Sequence, residues 1–215
     1  MKGETMSLRA EVGTRDGMQH RTLYNREATF ETREDGDVPV IEGYFAVFNS
    51  DYQISPSMSE SIAPGAFTRS LSNDVRALTN HDTSMVLGRC KAHTFEMRQD
   101  EHGLWGRITI NPNDSDAMNT YERVKRGDVD GCSIGFNIVS ERTDISDNGD
   151  VHWTIEDVEL FECSVCTFPA YEATSISARE NDYREIMKRQ TEAWKENMKA
   201  RLRNGVKTVD AAQED

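Results

Sequence analysis

Three short stretches combine residue types that do acid–base or nucleophilic chemistry. The first is Asn80-His81-Asp82, directly after the apolar run Val75–Thr79. A histidine at a strand end can be aimed into a cleft, and its ordinary pKa suits a general base near neutral pH. The second is Gly131-Cys132-Ser133-Ile134-Gly135-Phe136. Glycines two positions either side of Ser133 permit tight turns and close substrate approach, and could release backbone N–H groups toward a developing oxyanion. The third is Val158 to Thr167. Along an ideal strand Val158, Leu160, Glu162, Ser164 and Cys166 share one face, and Glu159, Phe161, Cys163, Val165 and Thr167 the other. Glu162 is then an acid in a mainly apolar row. A buried carboxylate needs a partner. A histidine N–H would serve and would be held in one tautomer by it, while a salt bridge to an arginine is the competing explanation. Together the stretches supply a nucleophile, a base and an orienting acid.

Other patterns lead elsewhere or nowhere. Gly131 to Gly135 fits the short expression G-x-S-x-G, but a nucleophile elbow needs strand, serine and then helix. Here a helix is predicted before Ser133 and a strand after it, so that hydrolase fold is set aside. Cys163-Ser164-Val165-Cys166 has C-x-x-C spacing. On a strand, residues three apart point to opposite faces, which hinders shared chelation of zinc. Cys90, His93 and His102 match no metal-ligand spacing. No metal and no cofactor are expected.

The elements that must position these residues can be read from periodicity. Residues 1–26 are polar without steady periodicity and are read as a flexible leader. Ala28, Phe30 and Thr32 alternate with polar neighbours, the turn residues 34–37 follow, and Val38 to Phe48 resumes, which together predict a hairpin. Asn49 to Ser61 reads as a loop containing Pro56, and Pro64-Gly65-Ala66-Phe67 as the opening of a short helix. Strands are predicted at Val75–Thr79, Met85–Cys90, Thr94–Arg98 and Leu104–Ile110. Asp114 to Arg126 is predicted helical, capped by Asn113 or Asp114 and ended by Gly127, with Ala117, Tyr121 and Val124 on one face. Ser133–Arg142 and Val151–Phe168 read as strands either side of the turn at 147–150. Glu180 to Arg203 is a helix with a loose apolar stripe that includes Trp194 and Met198, ended by Gly205, with a disordered end beyond it.

Bulk properties narrow the function. The chain has 215 residues, 29% of them charged, and a net charge of −13. Residues 180–215 hold eight acidic and eight basic side chains, so the whole excess lies before them. No basic stripe is present, so a nucleic-acid partner is disfavoured. Met1 to Asp16 lacks the apolar core of a signal peptide, and no apolar run approaches the length of a membrane span, so a cytosolic protein with reduced cysteines is expected.

Ordered blocks of the sequence also resemble a known family. Ile41-Glu42-Gly43-Tyr44-Phe45-Ala46-Val47-Phe48-Asn49-Ser50, Ile62-Ala63-Pro64-Gly65-Ala66-Phe67, and Val75-Arg76-Ala77-Leu78-Thr79-Asn80-His81-Asp82 with Leu87-Gly88-Arg89 are similar to the prohead proteases of tailed phages. So are Val124 to Phe136 and Leu160 to Ala170. The resemblance covers about Glu27 to Ser177. It implies an α+β serine protease fold related to the herpesvirus assembly proteases: a small, mainly antiparallel β-barrel or sheet flanked by helices, here with a C-terminal helical extension. With the composition of the two ends it gives three expected segments: a leader over 1–26, a protease domain over 27–179, and a charged helical tail over 180–215, disordered at its end. By carry-over His81 is the catalytic histidine and Ser133 the nucleophile. Glu162 is the choice for the third member, with Glu159 and Asp157 as rivals. The implied substrates are the scaffold or the scaffold-like extension of the major capsid protein, and the protease itself, cut inside the prohead in the host cytoplasm. Self-association through the C-terminal helix is a further expectation. The reading from another class is a non-enzymatic scaffold or capsid-assembly protein that keeps the fold.

Overall fold

The computed structural model describes the backbone of residues 6–10, 19–23, 30–35, 38–167 and 173–210, and the side chains of 31–33, 38–167 and 179–200. By contacts the chain divides into two units, Met1–Ser175 and Ile176–Asp215.

The first unit is α+β, as expected, and its strands form two sheets. Strands β1 (Met6–Ala10), β2 (Gln19–Leu23), β3 (Phe30–Asp35), β4 (Val38–Val47), β5 (Tyr52–Ser55), β6 (Met58–Ile62), β7 (Arg76–Thr79), β8 (Asp82–Arg89), β9 (Phe95–Gln99) and β10 (Gly103–Thr109) precede helix α1 (Ser115–Arg126). Two long strands follow, β11 (Gly131–Ile145) and β12 (Val151–Cys166), joined at the Asp147-Asn148-Gly149-Asp150 turn, where Gly149 takes φ +86°. The smaller sheet runs β3-β4-β10-β9, all antiparallel. The larger sheet is organised by β11 and β12, which pair antiparallel along most of their length. Each is long enough to hold two further strands on its outer edge. β1 and β2 pair with opposite ends of β11, and β6 and β7 run parallel to opposite ends of β12. β5 completes one end beside β6, and β8 the other beside β7.

One apolar core joins the sheets and α1. Ile41, Phe45, Leu104 and Ile108 come from the small sheet, Cys132, Ile134, Phe136, Val158, Leu160, Cys163 and Val165 from the large one, and Ala117, Tyr121 and Val124 from the helix. Those helix residues fall at helical spacing on one face, so burying them holds α1 in place. Its ends are fixed locally. The Asp114 carboxylate accepts from the Asp116 and Ala117 N–H groups, and Gly127 closes the helix at φ +83°.

The structure departs from the sequence reading in several places. β1 and β2 fall within the stretch read as a flexible leader; both pair on an edge of β11, and backbone pairing needs no periodic apolar pattern. The predicted loop at 49–61 contains the hairpin β5–β6, with Pro56 in its turn, where a missing N–H does no harm. The segment after Pro64 makes successive turns and then a 3-10 turn at Ser70–Ser72, not an α-helix. Helix α2 (Ala173–Asp210) starts before Glu180 and continues through Gly205, a cost of about 1 kcal/mol that does not break it. Residues 211–215, read as a disordered end, lie outside the described residues. Within the second unit Trp194 and Met198 of the apolar stripe are exposed.

Candidate active site

The face of the large sheet that carries the chemistry is set by register. Across β11 and β12, Gly131 stands opposite Cys166, Ser133 opposite Ser164, and Gly135 opposite Glu162. Directly paired residues point to the same side. These six therefore share one face, while Cys132, Ile134, Cys163 and Val165 turn into the core. On the far side of β12, Arg76 and Leu78 of β7 lie beside Glu162 and Ser164.

His81 reaches this face from the β7–β8 turn. Thr79 pairs with Asp82, so the loop is two residues, Asn80 and His81, with φ 52° and 60°. Positive φ at both centres is the hairpin geometry that matches strand twist, and it is costly for side chains other than glycine, about 1–2 kcal/mol at His81. Bonds to the end of β12 offset that cost. The Asn80 N–H donates to the Val165 carbonyl (2.9 Å), the Thr167 N–H to Asn80 Oδ1 (3.0 Å), and the His81 N–H to Ser164 Oγ (3.1 Å). The turn is thus tied to the strand that carries Glu162, and this sets where the imidazole lies.

The ring completes the tie. His81 Nδ1 is 2.7 Å from Glu162 Oε1, with only 13% and 6% of the two side chains exposed. An ionised carboxylate only accepts, so Nδ1 carries the hydrogen and Nε2 is the basic nitrogen. The other carboxylate oxygen, Oε2, accepts from the Ser164 hydroxyl at 2.6 Å. Ser164 therefore holds the backbone of the base and the carboxylate of the acid at once. It was placed on the Glu162 row by sequence but given no role there. Cys166 Sγ lies 4.0 Å from His81 Nε2. Its thiol pKa is pushed up to about 12, by burial first and by the Glu162 charge second. Burial likewise pushes Cys132 up to about 12 and Cys163 well above the ordinary value. All four cysteines are free thiols.

The glycines around Ser133 work differently from expectation. Neither takes a positive φ; both lie in the extended strand β11. Gly135 is required for space, because a Cβ there would overlap Glu162 Oε1 and sit 3.0 Å from its Cγ. The missing side chain makes room for the carboxylate that meets His81.

The strict alternation read along 158–167 also breaks once. Gly135 pairs with Glu162 and Phe136 with Leu160, so Phe161 is an extra residue, a β-bulge. Val158 and Leu160 consequently point into the core with Cys163 and Val165, and do not share a face with Glu162. Phe161 is instead turned toward the site and lines a cavity of about 370 Å³ with Leu78, His81, Val86 and Glu162.

The structure thus brings His81 and Glu162 into contact and sets Ser133, fully buried, on the same face and opposite Ser164. The rival acids lie elsewhere: Asp157 bonds Arg69 at 2.6 Å and Glu159 is exposed. Of the two partners considered for Glu162, the histidine is in contact with it. An imidazole oriented by a buried carboxylate, on a sheet face that also bears a serine, is a set of groups of the kind acyl transfer uses.

Comparison with known proteins gives the family. A family model described as the caudovirus prohead serine protease matches residues 26–189, and the chain belongs to that family. It is therefore a protease of bacteriophage capsid assembly. The prohead protease of Enterobacteria phage HK97 is 33% identical over 162 residues, which span 74% of this chain and 68% of that protein. Among solved structures, the bacteriophage T4 capsid assembly protease gp21 is similar over 77% of this chain and 99% of its own, at 9% identity and a TM-score of 0.41.

Proposed function

We propose that this chain is a serine endopeptidase with Ser133 as nucleophile, His81 as general base and Glu162 as orienting acid. The observation that carries the reading is the 2.7 Å contact from His81 Nδ1 to Glu162, made on the face that also bears Ser133. In this mechanism Nε2 takes the Ser133 proton as Oγ attacks the scissile carbonyl. The proton then passes to the leaving amine as the C–N bond breaks. Water, deprotonated by the same nitrogen, releases the acyl group and restores the serine. Glu162 stabilises the imidazolium formed in both halves, and Ser164 keeps the carboxylate aimed. Ser133 is fully buried in this structure.

The substrate in this reading is the scaffold or the scaffold-like extension of the major capsid protein, cut inside the assembling prohead in the host cytoplasm. The protease also cuts itself, and its catalytic domain spans 27–179. No helix among the described residues is long and apolar enough to cross a membrane. The test is co-expression with the capsid precursor. Ser133→Ala abolishes cleavage while circular dichroism stays that of the wild type, and N-terminal sequencing of fragments made only by the wild type identifies the bond. Unchanged cleavage by the variant refutes the nucleophile. A wild type that cleaves nothing favours the non-enzymatic scaffold.

A further inference from the structure

The cavity beside His81 has a composition that the catalytic groups do not require. One row crosses four strands on the site face: Val86 of β8 pairs with Leu78 of β7, Leu78 lies beside Ser164 of β12, and Ser164 stands opposite Ser133 of β11. Moving outward from the nucleophile, the row turns from hydroxyls to aliphatic side chains. Val86 is 45% exposed, and with Val38 it makes up the large hydrophobics left exposed among the described residues of the first unit. A single exposed valine needs no explanation. Here, however, it joins Leu78 and the ring of Phe161, which a β-bulge turns out of the core and toward the cleft. Bulges beside active sites commonly re-aim one side chain in this way. Without the bulge, Phe161 would face the core and the cavity would lose that wall.

Two of the charged members of the lining, Glu162 and Arg76, are engaged with neighbours, and Thr83 adds an exposed hydroxyl at the rim. Glu162 is bonded to His81 and Ser164. The Arg76 guanidinium donates to the Asp74 carbonyl at 2.6 Å and lies 3.5 Å from its carboxylate. The apolar surface that the cavity offers an incoming group comes from Leu78, Val86 and Phe161. Its volume of about 370 Å³ is at the small end of ligand pockets, enough for one large side chain and the backbone beside it.

We infer that this cavity, walled by Leu78, Val86 and Phe161, is the substrate side-chain pocket of the protease and takes a bulky aliphatic residue close to the scissile bond. The inference rests on the serine endopeptidase reading above. Val86 and Phe161 act as specificity residues and Leu78 as the floor.

The test uses the full-length enzyme and peptides spanning the cleavage site located by N-terminal sequencing, in pairs that differ only by leucine or alanine at each position in turn. One position near the cut bond shows a preference for leucine of about 10- to 100-fold in kcat/KM, the range a few methylenes supply in a hydrophobic pocket. Phe161→Ala and Val86→Lys each shrink that ratio about tenfold. The ratio is read within one enzyme, so a loss of folded protein leaves it unchanged, and Val86 is exposed enough for its substitution to spare the fold. Cleavage that depends on Ser133 but keeps the same leucine-to-alanine ratio in both variants overturns the pocket alone. Cleavage that persists in Ser133→Ala overturns the reading beneath it.

Discussion

Two histidines in this molecule each stand among serines with an acid in reach, and they differ in what each ring nitrogen touches. His81 Nδ1 meets a buried carboxylate, Glu162, and Nε2 is directed elsewhere. His152, on β12 near its start, has a hydroxyl at both nitrogens: Ser59 at 2.8 Å from Nδ1 and Ser61 at 2.9 Å from Nε2. Its acid, Asp51, is 4.0 Å away with 70% of its side chain exposed. The two sites share a parts list of serine, histidine and acid. Only the first has an asymmetric imidazole, with one nitrogen fixed as donor by a desolvated charge and the other left basic. In the second, each nitrogen is held by a neighbouring β6 hydroxyl, so the ring staples two parallel strands. An exposed acid in water of high dielectric does little to orient it. Burial of the acid separates the proposed catalytic constellation from a structural one built of the same residue types.

Removing the charge from each acid should widen that contrast most. Glu162→Gln keeps the shape but replaces an acceptor with an amide that can present N–H to Nδ1, favouring the wrong tautomer. A loss of about 10³- to 10⁴-fold in kcat is expected, with the fold retained. Asp51→Asn, an exposed substitution, should leave kcat within about twofold. Peptide hydrolysis by the two purified variants measures both. Equal effects would show that burial of the acid is not what distinguishes the sites.

A smaller effect is expected at Ser164, which the His152 cluster has no counterpart for. Ser164→Ala removes the donor to Glu162 Oε2 and the acceptor of the His81 N–H. The carboxylate then loses one of the bonds that aim it, and misplacement of a base by a fraction of an ångström costs about 10- to 100-fold in kcat. Because Ser164 acts through Glu162, KM should hold, and the same substitution made in Glu162→Gln should cost little more. A purely structural serine would instead give additive losses. Ser61→Ala, beside the other imidazole, serves as the comparison and should leave kcat nearly unchanged.

The three candidate residues were legible because each carried a local signal: a histidine after an apolar strand, a serine between glycines, and an acid in an apolar row. The cost of burying a carboxylate alone called for a partner but left a histidine and an arginine both open. What sequence could not show was register. Phe161 reads like any apolar strand residue, and a bulge leaves no mark on hydropathy, so Val158 and Leu160 were assigned to the wrong face. Gly135 looked like a turn glycine because its neighbour in space, Glu162, is 27 positions away in the chain. The role of Asn80 had a signal that went unused, since asparagine is favoured where a two-residue hairpin needs positive φ. β5 and β6 were hidden by Pro56 and by the polar residues that surround His152, the same hydroxyls that make that region structural.

The last contrast concerns the atom at the far side of each imidazole. His81 Nε2 has Cys166 Sγ at 4.0 Å, and a thiol beside an imidazole can form a reactive ion pair that would make cysteine the nucleophile. The surroundings oppose that. Burial first and the Glu162 charge second push the Cys166 pKa up to about 12, so the thiol form dominates at pH 8. Ionising Cys166 would place a second negative charge beside a buried carboxylate, whereas in the proposed mechanism the Ser133 proton moves to Nε2 only as the carbonyl is attacked. Iodoacetamide at pH 8 should therefore leave peptide hydrolysis within about twofold of the untreated enzyme. Cys166→Ala should do the same, since it keeps the small buried volume and both bonds of Glu162. Rapid inactivation that Cys166→Ala abolishes would move the nucleophile from Ser133 to the thiol. The pairing of His81 with Glu162 would stand in either case, because it lies on the other edge of the ring.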